Sequence, residues 1–220
     1  MIAAYPSGGG DEYALSFDSA RAQRLLIIPA LFEEASRMRR LSVEVMRRLD
    51  LAGIDSFLPD LPGCGESVQA LEHQTLAGWR TAMAAAAAHF RASHVLAVRG
   101  GALVMPDTLP GWAYAPVKGA NLLRQMLRAR IMASREAGVS ETQESLLERG
   151  AGQGLELAGY RLGAEFMAEF QLSIPETSHN ISGISQDLIG GGGLWLRAEP
   201  DEDRHQADSL AAIIAVGIKT

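Results

Sequence analysis

Leu25 to Ala30, L-L-I-I-P-A, is an unbroken aliphatic run, and Glu33 to Ala52 follows it with Ala35, Met38, Leu41, Val45, Leu49 and Ala52 at three- and four-residue steps. A strand with apolar residues on successive positions is buried on both faces. The steps that follow belong to one stripe of an amphipathic helix. Gly53 sits just past the stripe, where a helix C-cap belongs. A doubly buried strand feeding a helix is half of a parallel crossover unit, so this pair already selects among fold classes.

The alternation repeats. Asp55 to Leu58 reads as a second strand, ending in the turn D-L-P-G-C-G-E-S, Asp60 to Ser67. Leu76, Trp79, Met83, Ala87 and Phe90 mark a second helical face, and His94 to Val98 and Trp112 to Val117 read as two more strands. Strands alternating with helices imply a mostly parallel sheet with helices on both faces, because parallel strands need crossovers. The fold class expected is therefore α/β.

After Lys118 the rhythm changes. Leu122, Leu123, Met126, Leu127, Arg130 and Ile131 define an amphipathic helix, Ser140 with Gln143 suggests a capping box for a second that ends before Gly150, and Gly163 to Phe170 suggests a third. A strand-like run returns only at Leu194 to Ala198, and Gln206 to Val216 reads as a closing helix. The expected organisation is one domain over 1–220 with a mainly helical insertion over 118–190, of the kind that forms a lid over a ligand cleft. No eighth strand is recognisable, so the sheet is expected to be truncated at its C-terminal end.

The bulk numbers narrow the function. A formal net charge of −6 leaves no basic surplus to neutralise the phosphates of a nucleic acid or an anionic membrane. The one cysteine, Cys64, cannot form an internal disulfide and suits a reducing compartment. The first residues lack a basic flank and an apolar core of signal-peptide length, and the alanine run from Ala82 is too short to span a bilayer. A cytoplasmic protein without a membrane span is expected. No spacing of His, Cys or carboxylates suggests a metal, and no cofactor motif is present.

The turn Asp60 to Ser67 resembles the D-x-x-G-x-G-x-S segment after the fourth strand of α/β-hydrolases. P-A-L-F-E-E-A-S-R-M-R-R, Pro29 to Arg40, is similar to the P-x-F-x-E-E-x-x-x-S-R-R run of the hydrolases associated with exosortase (PEP-CTERM) systems. A-P-V-K-G-A-N-L-L-R-Q-M-L-R-A-R, Ala115 to Arg130, and L-E-L-A-G-Y-R-L, Leu155 to Leu162, resemble two later segments of the same family. The resemblance runs in order from Leu25 to Pro200. It implies an α/β-hydrolase-like fold and a setting in exopolysaccharide production or protein sorting at the envelope. A fold does not give an activity, so the site is argued from residues.

In such folds a serine occupies G-x-S-x-G on a strained strand-to-helix turn. The matching stretch here is Ala97-Val98-Arg99-Gly100-Gly101, with Arg99 at the nucleophile position. A guanidinium stays protonated and offers no lone pair, so serine-type acyl transfer is excluded at this elbow. Pro106 leaves room for one or two helical turns after it. His205, with Asp201 or Asp203 as an acid, precedes a terminal helix rather than following a last strand.

Arg99 has two readings: a loop arginine paired with a carboxylate, or, with Gly100, Gly101, Leu31 and Phe32, an anion-binding point that grips a ligand bidentately. Cys64 is a reactive thiol or a small residue in a tight turn. Glu33 and Glu34 favour the helix N-terminus, and Asp60 and Ser67 brace their turn. Arg37, Arg39, Arg40, Arg47 and Arg48 read as a solvated helix face. Ser178 to Ser185, with His179, and the glycines Gly190 to Gly193 read as a surface loop, because a phosphate loop would end in Lys-Ser/Thr before a helix.

The expected function is therefore a non-hydrolytic binding or accessory protein, taking a small acidic molecule or a protein partner. The alternative is an esterase or thioesterase with Cys64 or Ser185 as a displaced nucleophile. A third possibility is a subunit whose Leu122 to Ile131 helix pairs with its copy in a homodimer.

Overall fold

The computed structural model describes residues 1–176 and 178–219. Four parallel strands form its centre: β3 (Arg24–Ile28), β4 (Asp55–Pro59), β5 (His94–Val98) and β6 (Gly111–Tyr114). Leu25 and Ile27 point to one face and meet α1 (Glu33–Leu51) and α7 (Arg204–Lys219). Leu26 and Ile28 point to the other and meet the helix α2 (Leu76–His89). The unbroken apolar run thus feeds two cores, one on each side of the sheet. A β-carbon on Gly111 would stand 1.8 Å from the Val95 carbonyl, so only glycine lets β6 lie this close to β5.

The sheet has seven strands: β1 (Ile2–Ser7), β2 (Gly10–Phe17) and β9 (Ile181–Ile184) join the central four in the order β1-β2-β4-β3-β5-β6-β9. Strands β1 and β2 form an antiparallel hairpin, and β2 pairs antiparallel with β4. The sequence pattern does not announce this hairpin. The positions of β2 turned to the interior are Glu12, Ala14 and Ser16, so no apolar period of two is present.

At the opposite edge the structure corrects the sequence reading. The last strand, β9 (Ile181–Ile184), lies within the segment expected to be a loop and pairs parallel with β6. The run at Leu194 to Ala198 is instead a 3₁₀ turn, Leu194–Leu196, whose Leu194 and Trp195 pack into the core beside α1 and Tyr114. Strand I-S-G-I carries only two apolar residues, and Ser182 and Gly183 face solvent. A strand so short and polar leaves little periodic signal.

Between β6 and β9 stand α3 (Gly119–Glu136), α4 (Gln143–Gln153), a small hairpin of β7 (Leu155–Leu157) and β8 (Tyr160–Leu162), and α5 (Ala164–Leu172). The capping box of α4 is Thr142 with Ser145, two residues later than Ser140 with Gln143, and the helix continues past Gly150. Leu122, Leu123, Met126 and Leu127 of α3 are buried in the chain's own core with Leu146, Phe166 and Phe170. That face is therefore filled from within the chain and is not offered to a second copy.

Two charge clusters pin these layers. At the N-terminal ends of β3 and β4, fully buried Asp55 accepts from the Ser19 and Arg21 amides at 3.0 and 2.8 Å. It also accepts from the guanidinium groups of Arg21 and Arg24 at 3.0 and 2.9 Å. In the insertion, Glu141 holds Arg130 at 2.9 Å, Arg149 at 2.6 Å and the Ser134 hydroxyl at 2.5 Å, clipping α3 to α4.

Asp55→Ala leaves two arginines without their buried acceptor, and a loss of about 3–5 kcal/mol is expected in urea unfolding. The Glu141 clip generates a pH signature. Hydrogen bonds from Arg130, then Ser134 and Arg149, lower the Glu141 pKa from its ordinary 4.5 to about 2. A depressed carboxylate stabilises the fold above its unfolded-state pKa and loses that contribution as pH falls through the folded value. Between pH 4.5 and 2, the melting temperature of Glu141→Gln should therefore fall less steeply than that of the wild type.

Candidate functional site

The turn after β5 has the geometry of a nucleophile elbow without the nucleophile. Arg99 sits at φ 53°, a conformation that a branched or bulky residue adopts only when its surroundings impose it, and a 3₁₀ turn, Arg99–Leu103, follows. Pro106 accounts for the brevity of that turn.

The surroundings of Arg99 are closed. Its Nε donates to Glu34 Oε2 and its Nη2 to Glu34 Oε1, both at 3.0 Å, in a fork-to-fork pair. Nη1 donates to the Ala115 carbonyl at 2.8 Å, and the guanidinium lies 4.0 Å over the Trp195 ring. The side chains of Arg99 and Glu34 are 12% and 4% exposed. Every nitrogen of the fork thus has a partner within the chain. Glu34 reaches this point because the chain turns sharply at Phe32, φ 55°, before entering α1.

Gly100, Gly101, Leu31 and Phe32 do meet at this place, yet the space between them is filled. A β-carbon at Gly100 would stand 2.7 Å from Leu122 Cδ1, and one at Gly101 would stand 2.5 Å from the Pro29 carbonyl oxygen. Phe32 is boxed by Tyr160, Phe170, Phe166 and Trp79 at ring separations of 5.2 to 6.0 Å. Beside Glu34 and Leu122 only about 20 Å³ remains open, room for a water at most.

The roomy cavity, about 420 Å³, lies on the other side of Leu31 and Phe32, between the first turns of α1 and the turn after β4. Leu31, Phe32, Met38 and Leu58 form its apolar wall, and Arg39, Asp60, Cys64 and Tyr160 also line it. Arg39 is 53% exposed and only loosely tied to Asp60, at 3.4 Å. The turn itself is firmly held: Asp60 accepts from the Glu66 amide at 3.3 Å, and Ser67 accepts from the Gly63 amide at 2.8 Å while donating to Glu12 at 2.9 Å. Burial first, then the charges of Asp60 and Glu12, push the Cys64 thiol up to about 12.

The remaining candidates are scattered. Ser185 accepts from the Leu188 amide at 3.3 Å as the cap of the short helix α6 (Gln186–Ile189). Asp201 pairs with Arg197, and His205 is exposed in the first turn of α7 beside Gly190. Among the described residues the histidine–hydroxyl contact is His94 with Ser93, at 3.0 Å, and Ser93 is itself bound to the Arg24 backbone at the far end of β5. No group of three His, Cys, Asp or Glu residues among those described could hold a metal ion. The arginines of α1 are not simply solvated: Arg37 meets Glu33, Arg40 meets Glu202, Arg47 meets Glu44, and Arg48 meets Glu44 and Asp208. Of the cavity residues, the sequence pattern marks Arg39 only as part of a solvated helix face and assigns Tyr160 no role of its own. Each lies in a segment whose periodicity speaks only of packing.

A strand order of 1-2-4-3-5-6 with an elbow after the fifth strand and helices on both faces defines the α/β-hydrolase fold. Solved structures agree on that fold. Over 100% of this chain and 98% of the other, it matches the α/β-hydrolase domain-containing protein 10 from mouse at a TM-score of 0.61 and 13% identity. Over 99% and 96%, it matches Est1E from Butyrivibrio proteoclasticus, solved with ferulic acid, at 0.56 and 13%. The chain spans only 59% of the length of a protein from Agrobacterium vitis S4 described as a hydrolase, at a TM-score of 0.43 and 17% identity. No protein-family model and no curated protein sequence matches it. No helix among the described residues is long and apolar enough to cross a membrane.

The closed elbow can be tested by removing its charges separately and together. Arg99→Ala leaves Glu34 buried and unpaired, and about 3–5 kcal/mol of stability should be lost. The double variant Arg99→Met with Glu34→Leu removes both charges at similar volume and should recover most of that loss in the same denaturation series.

Proposed function

We propose that this chain is a non-hydrolytic α/β-hydrolase-fold protein that binds a small acidic molecule in the cleft between α1 and the turn after β4. The observation that carries this reading is Arg99. The position from which a serine would attack holds a cation already bound to Glu34.

The cleft has a volume ordinary for a small-molecule site and combines an apolar wall with one loosely held cation, Arg39. A carboxylate at the mouth can take Arg39 from Asp60 while an apolar body lies against Met38 and Leu58. The segment α3 to α5 serves as a fixed lid, Tyr160 contributing to the wall. The likeness of Pro29 to Arg40 and of the later segments to exosortase-associated hydrolases supports an accessory role in exopolysaccharide production or envelope sorting, exercised from the cytoplasm.

The rival reading, a hydrolase with Cys64 as nucleophile, is favoured by one fact, that Cys64 lines the cleft. Against it, burial and the charges of Asp60 and Glu12 hold the thiol far above its ordinary range, so little of the nucleophilic thiolate exists at neutral pH.

Purified protein should show no turnover of short-chain p-nitrophenyl esters or thioesters above buffer, and Arg99→Ala and Cys64→Ala should behave identically. Octanoate should raise the melting temperature of the wild type, and Arg39→Gln should weaken that binding about fivefold or more, the share of one charged hydrogen bond. Saturable turnover abolished by Cys64→Ala would make the protein an enzyme and end this reading.

A further inference from the structure

The solvent-facing side of α3 carries a feature that neither the core nor the cleft uses. Arg124, Arg128 and Arg135 are exposed, and at 3.6 residues per turn they lie within roughly 40° of one another along about 16 Å of helix. Among the described residues none of the three guanidinium groups has a hydrogen bond or an ion pair, although their backbones take part in the helix. Their neighbours behave differently: Arg130 and Arg149 are clamped to Glu141. Arg47 and Arg48 on α1 are likewise met by acids. Like charges four residues apart on a helix repel, and the chain has 26 acidic residues from which a partner could have been placed.

The stripe runs into a groove. Beyond Arg135, a shallow depression of about 520 Å³ is walled by Ile131, Val139 and Glu141. Val139 is 54% exposed, and Met132, 66% exposed, stands beside the stripe. Since Glu141 is already saturated by three donors, Arg135 is the groove's uncommitted charge.

We propose that this face of α3 docks an acidic peptide segment of a partner protein, with carboxylates along Arg124, Arg128 and Arg135 and an apolar side chain in the groove between Ile131 and Val139. Charge complementarity selects the sign: a chain of net charge −6 repels acidic segments elsewhere and admits them here. The groove selects a peptide over a bilayer. The apolar face of α3 is consumed by the core, so the helix has no apolar face left to lay into lipid. The inference stands independently of what the cleft binds.

The probe is a fluorescein-labelled peptide, Glu-Glu-Leu-Glu-Glu-Leu-Glu-Glu, followed by anisotropy on the full chain. Saturable binding is expected, weakened about tenfold between ~50 and ~500 mM salt because exposed charges are screened. Arg124→Glu/Arg128→Glu/Arg135→Glu should weaken binding about tenfold or more, with a melting temperature no lower than that of the wild type. Replacing the leucines of the peptide with glycine should cost several-fold, through the groove. Arg91→Glu/Arg204→Glu, which alters exposed cations elsewhere, should leave binding unchanged. Equal loss in that control variant, absence of saturation, or stripe-dependent binding to phosphatidylglycerol vesicles without peptide binding would each overturn the proposal.

Discussion

A guanidinium taken almost out of water has to find an acceptor for each of its donors, and at Arg99 that requirement ties four parts of the chain together. Glu34 brings in the first turn of α1, the Ala115 carbonyl the loop after β6, and Trp195 the 3₁₀ segment before α7. Arg99 itself follows directly on β5. The C-terminal rim of the sheet is thereby closed by one side chain at the place where a hydrolase keeps its reacting groups. Burying such a pair rarely adds net stability over an apolar equivalent. What it fixes is arrangement: the positive φ at Arg99 and the sharp turn at Phe32 are held because each aims its neighbour at the other.

Closure at the rim also explains where open volume survives. Leu122 reaches down to Gly100, and the aromatic rings around Phe32 stack over the loop after β3, so the helical insertion is packed onto the elbow. The space left lies one strand further along, against the turn after β4. That turn is stiff, because Asp60 and Ser67 hold its amides and Gly65 at φ 61° brings its backbone against the Asp60 carboxylate. The thiol it presents is surrounded by apolar wall and two acids, an environment that suppresses ionisation and makes Cys64 a packing residue of the cleft.

The central strands and the helices that cross between them were legible because burial on both faces writes an unbroken apolar run, as in Leu25 to Ile28, and because α1 carries its stripe over nineteen residues. Legibility failed at both sheet edges, for one physical reason. At and beside the edges the strands carry few apolar residues: Glu12 and Ser16 in β2, one strand in from the edge, and Ser182 and Gly183 in the edge strand β9 erase the pattern that identifies a strand. At the elbow, the identity of Arg99 was readable from the motif, while its partner depended on a three-dimensional approach across 65 residues of chain. The cleft was unreadable for a similar cause: Met38 and Leu58 look like core in sequence, and only their placement makes them a wall.

The sheet's last strand carries a consequence for how the protein behaves in a crowded solution. Any exposed strand edge is a row of unmet amides and carbonyls inviting another chain to continue the sheet. Here that row is four residues long, with serine and glycine in the middle, and the chain turns at once into the capped helix α6. So brief a template gives an incoming strand few ladder bonds and almost no side-chain surface to grip. Ending this side of the sheet on so short a strand makes that edge a poor template for another chain.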